Sequence, residues 1–175
     1  MKKYLLLSIL TAYTVILSSC SKDEDGVSNA TEAQIVGSWN LTALEATDGR
    51  SNTTIEDTSI PATFNAVGKD FDTIVTFSEE PQIVTSEGSY TTVLTTTIMG
   101  QTETDEQDGE DFFQSNEWRL DGSTLYFGSG DDEVGFTIIE LNDSKISLRY
   151  NLDETVESFI GTSTVSATYN MTLSK

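Results

Sequence analysis

From position 35 onward, apolar side chains recur at every second place, the spacing that puts them on one face of a pleated strand. The plainest run is Val165, Ala167, Tyr169, Met171 and Leu173, alternating with Thr164, Ser166, Thr168, Asn170 and Thr172. Ile146, Leu148 and Tyr150 form another, with Lys145, Ser147 and Arg149 on the opposite face. Asn142-Asp143 ahead of it supplies turn chemistry after residues 134–141, so these segments read as a hairpin. Residues 117–120 and 124–127 flank Asp121-Gly122, and residues 89–99 are dense in β-branched Thr91, Thr92, Val93, Thr95, Thr96 and Thr97. Both regions favour strands. The early strands are residues 35–45, with Ile35, Gly37, Trp39, Leu41 and Ala43 on one face, and residues 71–77, with Phe71, Val75 and Phe77.

No convincing helical periodicity competes with this pattern, and eight to ten short strands joined by turns predict an all-β domain. Consecutive hairpins favour a single up-and-down antiparallel β-barrel, with a β-sandwich as the alternative. Two polar stretches read as connections. Residues 48–68, which contain Pro61, are expected either to cover one mouth of the barrel or to be mobile. Residues 101–111 carry Glu103, Asp105, Glu106, Asp108, Glu110 and Asp111 without one base and read as a solvated acidic loop.

The N terminus follows a different pattern. Lys2 and Lys3 precede a mostly apolar stretch, residues 4–17, and the chain turns sharply polar after Cys20. A transmembrane helix needs about 20 apolar residues, so residues 1–19 read as an export signal that is removed. Residues 20–33 then form a flexible, charged tether, and residues 34–175 form the barrel.

Charge narrows the function. The 175 residues hold 29 acids against nine bases, and all the acids lie after position 20. Nucleic acid is not an expected partner, because binding it requires clustered Lys and Arg that release counterions. With no histidine and one cysteine, Ser-His-Asp and Cys-His sites are absent, as are the usual His- or Cys-based metal sites. The acidic run and Asp131-Asp132-Glu133 offer oxygen ligands for calcium, but their spacing does not match an EF-hand loop. No metal, cofactor or catalytic residue is expected, and the protein is read as a non-enzyme.

Leu17-Ser18-Ser19-Cys20 resembles the lipobox of bacterial lipoproteins, which implies cleavage before Cys20 and attachment of acyl chains to it. More than one chain gives stable anchoring, since a single myristoyl chain holds only marginally. Ser21-Lys22-Asp23-Glu24-Asp25 is similar to the Lys-acidic export signal of Bacteroidota lipoproteins, which implies display on the outer face of the outer membrane, with the periplasmic face as the alternative. Gly37-Ser38-Trp39 at the start of the first strand resembles the Gly-x-Trp signature of lipocalin-like domains. Val75-Thr76-Phe77, Trp118-Arg119-Leu120 and the apolar closing strand fit the same layout across the mature chain. The resemblance implies that Gly37 and Trp39 close one end of the barrel, with an arginine packed over the tryptophan. Arg119 and Arg149 are the candidates for that arginine.

An eight-strand barrel either fills its interior with side chains or leaves room for one small ligand. The candidate lining residues are Val75, Phe77, Leu94, Phe136, Ile146, Leu148, Tyr150, Ala167 and Tyr169, whose mixed sizes favour a cavity. The expected function is binding of a small apolar or amphipathic ligand at the membrane. The alternative is an adhesin or envelope interaction module with a filled barrel that contacts a glycan or a protein.

Overall fold

The computed structural model describes residues 27, 30–56, 58–110, 113, 116–158 and 161–175. The expected leader, Cys20 and the residues 21–25 of the tether lie outside them. A short helix, α1 (Glu32–Ile35), leads into β1 (Gly37–Ile55), β2 (Thr58–Lys69), β3 (Ile74–Phe77), β4 (Ile83–Glu87), β5 (Ser89–Ile98) and β6 (Gln101–Glu110). β7 (Asn116–Asp121), β8 (Thr124–Phe127), β9 (Val134–Asn142), β10 (Lys145–Ser158) and β11 (Gly161–Ser174) complete the chain, with a single 3-10 turn at Gly130–Asp132 between β8 and β9.

All strand pairs are antiparallel, and the pairing of β11 with β1 closes an eight-strand ring of β1, β3, β4, β7, β8, β9, β10 and β11. β2, β5 and β6 stand outside the ring and extend it from the upper half of β1. The extension rises above the ring because β1, at 19 residues, outruns β3, at four. Near its start β1 pairs with β3 through Trp39↔Val75, and farther along it pairs with β2 through Ala46↔Ala66. Where the two walls part, the Asp72 amide donates to the Ser89 carbonyl at 2.8 Å and the Thr73 hydroxyl to the same oxygen at 3.0 Å.

The barrel expected from the alternation is therefore present, but both segments read as connections are strands. Residues 48–68 do not cap a mouth: they form the upper half of β1 and most of β2. Asp48-Gly49, which resembles a turn, is a bulge inside β1, with Asp48 at φ 54° and the register slipping between Thr47 and Arg50. Pro61 pairs with Asn52 one place beyond the last β2–β5 pair, Ala62↔Ile98, where only β1 flanks the strand. The acidic run is β6 rather than a loop. It folds back on β5 through Met99-Gly100, both at positive φ (52° and 81°), the conformation a two-residue hairpin turn requires.

An earlier slip, between Leu41 and Ala43, changes which residues of β1 point inward. Trp39 and Leu41 are buried before it and Ala46 after it, so Ala43 does not continue the inward face as the simple alternation predicts. Ile35, also expected on that strand, belongs to α1 and is fully buried. The Trp39 indole donates to the Ile35 carbonyl at 2.7 Å, which ties α1 across the closed end. Val75, Phe77, Val84, Trp118, Leu125, Ile138, Ile146, Leu148 and Leu173 fill the space above it.

Candidate functional site: an aromatic cup

Above this core the interior is open. A cavity of about 850 Å³, within the usual range of small-molecule sites, is bordered by β1, β2 and the strands from β5 to β11. Phe113, Phe127, Phe136, Tyr150 and Tyr169 form a continuous arc along it, with successive ring centroids at 4.5, 5.4, 5.3 and 6.2 Å. Leu44 and Ala46 on β1, beside Tyr169, continue the lining to Ala66, Tyr90 and Leu94 on β2 and β5. Alternation explains the arc: Phe136 and Tyr150 lie on adjacent strands, and Tyr150 and Tyr169 are direct cross-strand partners.

One side of the cup is low. The β9–β10 pairing ends at Arg149, so β10 beyond that point has only β11 beside it, and β6 has only β5. Between these edges the wall consists of the short β8–β9 hairpin and its 3-10 turn. Glu45, on β1, Asp132, on that turn, and Glu154, on β10, line the cavity, whereas none of the described lysines and arginines does. The bases lie elsewhere. Arg119 holds Glu133 through two hydrogen bonds, at 2.7 and 2.5 Å, and stacks 3.7 Å over Tyr126. Lys69 pairs with Glu106 at 2.8 Å and Lys145 with Glu140 at 2.7 Å, and Arg149 donates to Asn170 at 3.2 Å. The Arg119 guanidinium holds the Glu133 carboxyl below its ordinary value.

Burial raises the phenol pKa of Tyr169, and the neighbouring Tyr150 and Glu154 raise it further. Burial alone raises that of Tyr90. Both hydroxyls are therefore protonated donors over a wide pH range. Among the described residues, no three acids converge closely enough to hold a metal ion.

The structure distributes the expected lining residues over three places. Leu94, Phe136, Tyr150 and Tyr169 line the cavity. Val75, Phe77, Ile146 and Leu148 do not: they are packed in the core beneath it. Ala167 borders a separate, shallower cavity of about 350 Å³ with Asp48 and Arg50. Gly37, at φ 122°, starts β1, and Trp39 is fully buried at the closed end. The cation over Trp39 is Lys175, with its amine 4.2 Å from the ring centroid, and neither Arg119 nor Arg149 takes that place.

Sequence reasoning missed Tyr90, Phe113, Phe127 and Met171 as lining residues. Tyr90 stands four places from Leu94 on one strand, so period two would have found it. Phe113 has no such signal. It sits after the acidic run, is buried, and its amide donates to the Ser86 hydroxyl at 3.1 Å. Comparison with protein-family models, with curated proteins and with solved structures gives no match, so the geometry of the cup carries the functional reading.

Proposed function

We propose that this protein is a lipoprotein of the outer membrane, anchored through acylated Cys20 and displayed at the cell surface, whose lipocalin-like barrel binds a small amphipathic molecule. It binds without transforming its ligand: the chain has no histidine, and the acids near the cavity lie on its exposed rim. The observation that carries the ligand reading is the cavity of about 850 Å³ with its aromatic arc above a filled closed end. Leu17-Ser18-Ser19-Cys20 after a short apolar run supports the anchor, and the acidic tether supports surface display.

The energetics are adequate. A ligand that buries roughly 400 Å² of apolar surface gains about 10 kcal/mol at about 25 cal/mol per Å². Association removes at least about 4 kcal/mol of this. Stacking on the arc restores about 0.5–1.5 kcal/mol per ring, which brings the total near the roughly −8 kcal/mol of micromolar binding.

The described barrel closes within residues 30–175, so a soluble 21–175 form carries the whole cup. A neutral, environment-sensitive dye is expected to bind it and to be displaced by amphiphiles, and native mass spectrometry is expected to show a one-to-one complex. Failure of the dye and of every amphiphile to bind would remove the ligand reading and leave the interaction module in its place.

A further inference from the structure

The low side of the cup is bordered by acids. Asp105 pairs directly with Leu94 and Glu103 with Thr96, so both carboxylates share the face of the sheet on which Leu94 lines the cavity. The Gln107 side chain, also on the cavity, donates to Asp105 at 3.4 Å. Across the gap, Glu154 follows Tyr150 and Leu152 at two-residue spacing on β10, and all three line the cavity. Asp132 stands on the turn between the two edges. None of the described bases lines the cavity, and Lys69 is tied to Glu106, Arg119 to Glu133 and Lys145 to Glu140.

From this arrangement we infer that the cup selects an organic cation, an ammonium or amidinium group carried on an apolar body. The inference rests on the ligand-binding reading above and deepens it. The body lies along Phe136, Tyr150 and Tyr169, and the charge stays at the low wall beside Asp132 and Glu154. Two effects favour the cation. The faces of Tyr150 and Tyr169 attract positive charge. The rim carboxylates add a negative potential that raises the local cation concentration and repels a fatty acid of equal length. Because the rim is exposed, salt screens this selection over about 8 Å at physiological strength.

The test uses the soluble 21–175 form and three ligands with one tail, decyltrimethylammonium, decanol and decanoate, below their micelle concentrations, each competing with the neutral dye. Decyltrimethylammonium is expected to displace the dye at about one-tenth the concentration of decanoate or less, with decanol between them, and the ratio is expected to shrink in about 0.5 M salt. Combining Glu154→Gln with Asp132→Asn is expected to cut that ratio by about threefold or more while circular dichroism stays that of the wild type. Decanoate binding as tightly as the cation, or a ratio unmoved by the two substitutions, overturns the charge selection. In that case decanol binding still supports the cup. If none of the three binds, both readings fall.

Discussion

Trp39 shows what a single side chain contributes here. It is fully buried, its indole N–H is satisfied by the Ile35 carbonyl, and Lys175 covers its face. Trp39→Ala is expected to cost about 3–5 kcal/mol, measured by urea denaturation of the 21–175 form, because the cavity it leaves is ringed by strands that cannot collapse. Lys175→Ala should cost only about 0.5–1 kcal/mol, as an exposed cation–π contact does. The alternation placed Trp39 on the inward face of the first strand, and only the resemblance carried by Gly37-Ser38-Trp39 implied a place at the end of the barrel. The cationic partner of Trp39 was not legible, because Lys175 follows the last strand and no local spacing links the two. Tyr169 gives a pH test. Its folded pKa lies above that of a free phenol, near 10, so the stability linked to it is complete below about pH 10 and is lost as pH rises through the folded value. An ultraviolet titration should show late-ionising phenols, one of which Tyr169→Phe removes.

At the scale of the element, the bulge at Asp48-Gly49 lies where β1 already pairs with β2, and it slips the register of β1 against both β2 and β11. A Cβ at Gly49 would run into the carbonyl and ring of Phe64, so Gly49→Val should lower the melting temperature through overpacking worth about 1–3 kcal/mol. This explains why residues 48–68 misread as a connection: Asp-Gly and Asn-Thr-Thr carry turn chemistry, and only pairing with β11 and β2 makes them strand. β6 misread for a related reason. Its strand character comes from threonine-rich β5, through Thr95 to Thr104 at 3.3 Å and Thr97 to Thr102 at 2.8 Å, and its acids occupy an edge where charge prevents further pairing. Replacing Glu103, Asp105 and Asp108 together by Thr should therefore produce concentration-dependent oligomers in sedimentation velocity. The closing strands, by contrast, were legible from periodicity and from Asn142-Asp143 as far as Tyr150 on β10, since β9, β10 and β11 pair with their sequence neighbours.

The molecule as a whole combines a net charge of −20 with an apolar interior reached from one side. If Cys20 is its anchor, Cys20→Ala should abolish incorporation of labelled fatty acid, and protease added to intact cells should degrade the wild-type protein if it faces outward. Equal labelling of the variant would refute the lipobox reading. The unequal height of the wall has a separate consequence for how the protein breathes. Every strand at the closed end has a neighbour on both sides, whereas β6 and β10 beyond Arg149 each have one. Backbone amides should therefore trade protons for deuterons in a gradient, slowest around Trp39 and Leu173 and fastest along those two margins. A molecule resting on Tyr150 and Gln107 at once would tie the margins together, and its arrival would register as slowed exchange on strands that share no hydrogen-bonded pairing.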